Sequence, residues 1–229
     1  MLFHVAGVVA DITVDRSTIT SSNRVLLNTL SGGTISLMAS GSQLTGAITT
    51  DSTSRADVTL QNSTWTMTGN SNLTNLVFNG GTLKYGDSFD ISASQAITPD
   101  LASGGFAGGG TFDTNGFTAT VSQDIQGAGG LTKAGAGTLI LTGDNSFSGG
   151  TILDGTLVVG NLPGSQNEAK GISTALGTGN VLVGPGTLRT TSFQTGVPLT
   201  IHVGGNYTQK QTERWLSGSV EHSLGSSTA

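Results

Sequence analysis

Residues 127–161 read GAGGLTKAGAGTLILTGDNSFSGGTILDGTLVVGN. Two alternating runs, Thr138-Leu139-Ile140-Leu141-Thr142 and Thr156-Leu157-Val158-Val159, are each opened and closed by glycine. Strict apolar/polar alternation is the pattern of a half-buried strand, and Gly, Asn, Asp and Ser are the residues that turn a chain between strands. Asp144-Asn145-Ser146-Phe147-Ser148 therefore reads as a polar connection, followed by Gly149-Gly150-Thr151-Ile152. Each run offers only two or three inward positions, Leu139 and Leu141, then Leu157 and Val159. So small a unit cannot bury a core alone and must stack on copies of itself.

Outward from this stretch the same rhythm recurs. It is visible in Val25-Leu26-Leu27, Thr34-Ile35-Ser36-Leu37, Asp57-Val58-Thr59-Leu60, Val181-Leu182-Val183 and Thr187-Leu188. Gly-Thr-apolar triplets begin at residues 33, 81, 110, 137, 150, 155 and 186. Their uneven spacing predicts rungs with variable loops rather than a strict short-period solenoid. In residues 40–85 the expected inward pairs are Trp65 and Met67, Leu76 and Phe78, and Leu83 and Tyr85. Trp65 reads as core filling, because its neighbours alternate with it. Phe112, Phe117, Ala119, Val121 and Ile125 continue the pattern. Residues 89–110, rich in Ala and Gly around Pro99, read as the weakest stretch, a rung with a protruding loop. Residues 162–171 read as a loop, with one helical turn at most in Asn167-Glu168-Ala169-Lys170. At ~25 residues a rung the chain makes about nine rungs, a rod of roughly 40–45 Å.

Composition agrees. Charged residues are 10% of the 229, against roughly 25% in an average soluble protein, and Gly supplies 36 positions. Like charges stacked about 4.8 Å apart on successive rungs repel, whereas Ser, Thr and Asn ladders do not. Apolar residues reach 35% and arrive in alternation, which a disordered coil has no reason to maintain. The net charge is −5, and the nine basic residues form no patch, so the sequence implies no nucleic-acid partner. Cysteine is absent, which excludes disulfides, a thiol nucleophile and cysteine-ligated metal. No segment has the ~20 apolar residues of a transmembrane helix, so this segment is not expected to insert in a membrane.

The central stretch closely resembles the passenger-associated repeat of bacterial autotransporters. The resemblance rests on Gly127, Gly129, Gly130, Leu131, Lys133, Gly135, Gly137, Thr138 and Leu139, then Gly143, Asn145, Phe147, Gly149, Gly150, Thr151, Gly155, Thr156 and Leu157. A second block is similar to rungs of self-associating and pertactin-like passengers: Asn62-Ser63-Thr64-Trp65-Thr66-Met67, then Ser71 to Leu83. The resemblance implies an all-β, right-handed, single-stranded parallel β-helix displayed on the surface of a Gram-negative bacterium. It further implies a translocator β-barrel in the full-length protein. Residues 1–196 then form stalk rungs, and residues 197–229 a C-terminal cap similar to an autochaperone segment, with Trp215 covering the last layer. The N-terminal run Met1-Leu2-Phe3-His4-Val5-Ala6-Gly7-Val8-Val9-Ala10 lacks the basic start of a signal peptide, and no barrel follows, so the sequence reads as part of a longer protein or a truncated frame. The implied role is adhesion or self-association, through host-surface or homotypic contacts.

Signs of chemistry are sparse. Gly86-Asp87-Ser88 matches the nucleophile surroundings of several hydrolases, but the histidines, His4, His202 and His222, sit in no partner motif. A carbohydrate-active β-helix, the alternative reading, needs clustered carboxylates, whereas Asp100, Asp113 and Asp124 are isolated. The calcium nonapeptide G-G-x-G-x-D ending on Asp113 fails because its fourth position is Thr111. Gly135-x-Gly137 and Gly177-x-Gly179 do not extend to a dinucleotide fingerprint. The sequons at Asn62, Asn72 and Asn206 follow from an Asn/Thr-rich composition. The expectation is no enzyme, with no catalytic, cofactor-binding or metal-binding residue and no cofactor.

Overall fold

The computed structural model describes residues 2–99, 109–143, 145–159, 176–177, 179, 181–183, 186–190 and 201–203. Among them are nineteen strands and no helix. They begin with β1 (Phe3–Ala6), β2 (Val9–Asp15), β3 (Thr18–Leu30), β4 (Thr34–Ser40), β5 (Gln43–Thr50), β6 (Arg55–Gln61) and β7 (Thr64–Met67). Next come β8 (Ser71–Asn79), β9 (Thr82–Tyr85), β10 (Ile91–Pro99), β11 (Gly110–Asp113), β12 (Thr118–Val121), β13 (Leu131–Ala134) and β14 (Thr138–Leu141). The last are β15 (Thr151–Leu153), β16 (Thr156–Val159), β17 (Val181–Val183), β18 (Thr187–Thr190) and β19 (Ile201–Val203).

Odd-numbered strands stack in one ten-stranded sheet, β1-β3-β5-β7-β9-β11-β13-β15-β17-β19. Even-numbered strands stack in two more, β2-β4-β6-β8-β10 and β12-β14-β16-β18. Every pairing between named strands is parallel. Each strand thus lies over the next but one, and the chain winds as a parallel β-solenoid. Ten levels in the longest sheet are close to the nine rungs expected. Rung length varies as the triplet spacing predicted: Thr64 pairs with Thr82, 18 positions on, but Thr156 pairs with Thr187, 31 positions on.

Alternation decides which side chains fill the interior. One inward column runs Leu44, Trp65, Leu83, Phe112, and another Val58, Leu76, Ile97. All of these are buried, as are Met67, Phe78, Tyr85, Leu139, Leu141 and Leu157, in agreement with the expected register. Phe78 and Phe112 pack with ring centroids 5.3 Å apart. Trp65 is fully buried, and its Nε1 donates to the Gly46 carbonyl at 2.7 Å, so the large ring fills core without leaving its one donor unpaired. Phe117 is only partly buried, at the edge of the core.

At the corners, where ladder bonding lapses, side-chain oxygens take over. Ser42 Oγ accepts from Ser17 N at 3.1 Å, and Ser63 Oγ from Ser42 N at 2.9 Å. Ser71 Oγ receives Ile48 N, and Thr74 Oγ1 receives Ala56 N. These buried hydroxyls satisfy amides that would otherwise cost about 1–3 kcal/mol each. Ser42, Ser63 and Ser71, at or just before the starts of β5, β7 and β8, are therefore corner devices as well as turn formers.

Three details differ from the sequence reading. Residues 89–110 are not uniformly weak: Ile91–Pro99 forms a full strand, its Ile91, Ala93 and Ile97 turned inward, with a bulge between Ala93 and Ala96. The segment around Asn145 is more than a polar connection. Phe147 is fully buried, Asn145 Oδ1 accepts from Ile125 N at 2.8 Å, and Ser146 and Ser148 amides donate to the Ile125 and Gly127 carbonyls. Leu26 and Leu27 are both buried, because β3 bends near Arg24, whose φ is 69°, and switches wall. The expected loop at residues 162–171 and the proposed cap beyond residue 203, Trp215 included, lie outside the described residues. So does the burial of Val159.

Candidate interaction face

The outward side of the ten-stranded sheet carries a continuous polar ladder. In register, Thr18, Gln43, Thr64, Thr82, Thr111 and Thr132 lie one above another, followed by Ile152 and Leu182. Beside it runs Thr20, Thr45, Thr66, Lys84, Asp113 and Ala134. Parallel stacking puts rungs ~4.8 Å apart, and alternate residues along a strand ~6.6 Å apart. The two columns are therefore a flat lattice of hydroxyl and methyl groups, broken by one ion pair, Lys84 Nζ to Asp113 Oδ2 at 3.5 Å. On the five-stranded sheet, Arg55 Nε donates to Asp57 Oδ2 at 2.5 Å and Asn75 Nδ2 to Asp57 Oδ1 at 2.8 Å. Arg55 Nη1 and Asn75 Nδ2 also donate to Gln95 Oε1, at 3.4 and 3.3 Å.

The residues weighed for chemistry are dispersed. Ser88 is exposed in the turn after β9, and its amide donates to Asp87 Oδ1. His4 is exposed on β1, with three strands between it and β9 in the same sheet, about 19 Å away at 4.8 Å per rung. His202 lies on β19, with four strands between, and only its backbone register, beside Leu182, is described. His222, Asp100 and Asn206 fall outside the described residues. Asp113 is engaged by Lys84 and by the Asn115 amide, while Asp124 is exposed before Ile125. Among the described residues, no three His, Cys, Asp or Glu side chains gather as a metal site would require. Asn62 occupies a left-handed turn, φ 46°, and Asn72 Nδ2 donates to the Thr50 carbonyl, so the two described sequons serve the backbone.

Perturbed groups mark structure. The Asp51 carboxylate is held well below its ordinary 3.8 by the Ser54 hydroxyl, the Ser31 amide and the Thr53 side chain and amide. It closes the exposed turn between β5 and β6 onto the rung below, through Ser31 N at 2.6 Å. A carboxyl with a depressed folded-state pKa lends stability above its unfolded value and loses it as pH falls below. Hydrogen exchange should therefore show residues 31–33 and 51–55 opening progressively and selectively as pH is lowered from ~4 toward the depressed folded-state value, and Asp51→Asn should give that opening already at neutral pH. The Tyr85 phenol is raised above its ordinary value by burial and then by Asp90. Lys133, which the alternation did not mark as interior, is fully buried in β13. The signal available was its position, two residues after inward Leu131.

Comparison with known proteins agrees with this architecture. The family model of the passenger-associated-transport-repeat matches residues 131–159, which span β13 to β16. The adhesin BmaC autotransporter of Brucella suis biovar 1 (strain 1330) is 35% identical over 157 residues, covering 58% of this chain and 4% of that protein. The chain thus spans a small part of the length of this relative. No solved structure matches. The chain is thus a parallel β-solenoid whose β13–β16 rungs match the passenger-associated-transport-repeat and which is similar over part of its length to an autotransporter adhesin.

Proposed function

We propose that the chain is a surface-displayed adhesive stalk, acting in adhesion or self-association outside the outer membrane of a Gram-negative bacterium. The observation that carries this reading is the unbroken outward ladder from Thr18 to Thr132 on a rigid ten-level sheet, in a chain similar to an adhesin. Its work is done by area rather than by a pocket. Flat hydroxyl-rich ladders give many weak, additive contacts, and multivalent display turns such contacts into firm attachment. Export and anchoring belong to a translocator barrel elsewhere in the full-length protein.

Beads coated with the chain should bind host-cell surfaces or aggregate with one another, and the two arms separate host contacts from homotypic ones. Replacing Thr64, Thr82 and Thr111 together by Glu should abolish whichever occurs, because three like charges then stack in one column. Wild-type beads that do neither would refute the reading. Calcium-dependent cleavage of pectin or chitin fragments would favour the carbohydrate-active alternative. Any hydrolase signal should survive Ser88→Ala unchanged, since that hydroxyl has no histidine within reach among the described residues.

A further inference from the structure

Lys133 occupies an interior column, between Phe112 on the rung below and Leu153 on the rung above. Its side chain is fully buried, and its Nζ donates to the carbonyls of Ala134 at 2.8 Å and Gly135 at 2.7 Å. Glycine above is required by the backbone and leaves room for the ammonium: at Gly155, φ is 118°, and a Cβ would sit 2.3 Å from the Gly135 carbonyl oxygen and 2.7 Å from Lys133 Nζ. Burial lowers the lysine pKa, while Asp113 from the rung below and Asp154 from the rung above favour the ammonium. The ammonium thus sits against its own corner carbonyls and beneath a glycine.

We propose that Lys133 and Gly155 form a register lock, which admits one stacking of β13 against β15 and excludes stackings shifted by two residues. The neighbouring strands need such a device. β11 to β16 are three or four residues long, and Thr138-Leu139-Ile140-Leu141, Thr156-Leu157-Val158-Val159 and Thr187-Leu188 are nearly interchangeable. A one-residue slip is already forbidden, because it turns every apolar side chain outward. A two-residue slip keeps inward positions inward, so the apolar pattern tolerates it. It moves Gly155 and Asp154 ~6.6 Å along the strand relative to Nζ, and sets a larger side chain in the glycine's place. Buried charges contribute little net stability, and their best-attested use is to specify register. The adhesive face depends on this choice, since the order Thr111, Thr132, Ile152 exists in one register only.

The chain has no cysteine, so introduced pairs report stacking cleanly. Thr132→Cys with Ile152→Cys joins residues paired in the observed register. Ala134→Cys with Ile152→Cys joins residues paired only after a two-residue slip, and in the observed register their Cα atoms are ~8 Å apart, beyond disulfide reach. With Lys133 present, the 132–152 bond should form readily and the 134–152 bond stay at background. Lys133→Met, and independently Lys133→Leu, should raise the 134–152 yield several-fold while the thermal midpoint holds or rises. A yield that stays at background in both variants overturns the lock. So does a fall in midpoint or failure to fold in both, which would make Lys133 a stabilising residue and not a register device.

Discussion

Leu139→Asp unfolds the repeat, while Ile140→Asp, one position on, leaves the midpoint nearly unchanged. Leu139 is fully buried between Ala119 and Leu157 in the four-stranded sheet. A carboxylate there has neither water nor a cation, and burying an unpaired charge costs several kcal/mol, a large share of a marginal total. Ile140 belongs to the outward column Thr120, Ile140 and Val158, where replacements usually stay within about 0.5 kcal/mol. Urea unfolding followed by circular dichroism distinguishes the two. Equal losses would mean that the inward and outward faces of β14 are not those observed.

Trp65→Ala should cost about 3–5 kcal/mol, the range for deleting a large buried aromatic side chain. The ring lies between Leu44 and Leu83 in the longest interior column, and neither neighbour can fill the space it leaves. The substitution also strips the Gly46 carbonyl of the indole donor. Trp65→Phe should retain most of the packing and lose chiefly that hydrogen bond, so its cost should fall near 1–2 kcal/mol. Thermal unfolding of both variants separates volume from polarity. A small and equal loss in each would indicate a ring that is not packed in the core.

Alternation and glycine punctuation were enough to read the solenoid from sequence, because both are consequences of local geometry. A side-chain period of two assigns Leu139, Leu141, Trp65, Met67, Leu76 and Phe78 inward wherever a strand stays straight. The scarcity of charge follows from rung spacing. Tertiary structure decided what depends on residues some 18 to 31 positions apart. Leu26 and Leu27 are both interior because β3 turns a corner, and Phe147 is interior because its segment stacks on residues 125–127. Nothing in the chain order reveals that the amide of Ile48 needs the hydroxyl of Ser71, or that Gly155 must lie bare over the Gly135 carbonyl and the Lys133 ammonium. Those requirements arise only when successive rungs are placed one above another, since each rung supplies the walls, partners and charges of the next.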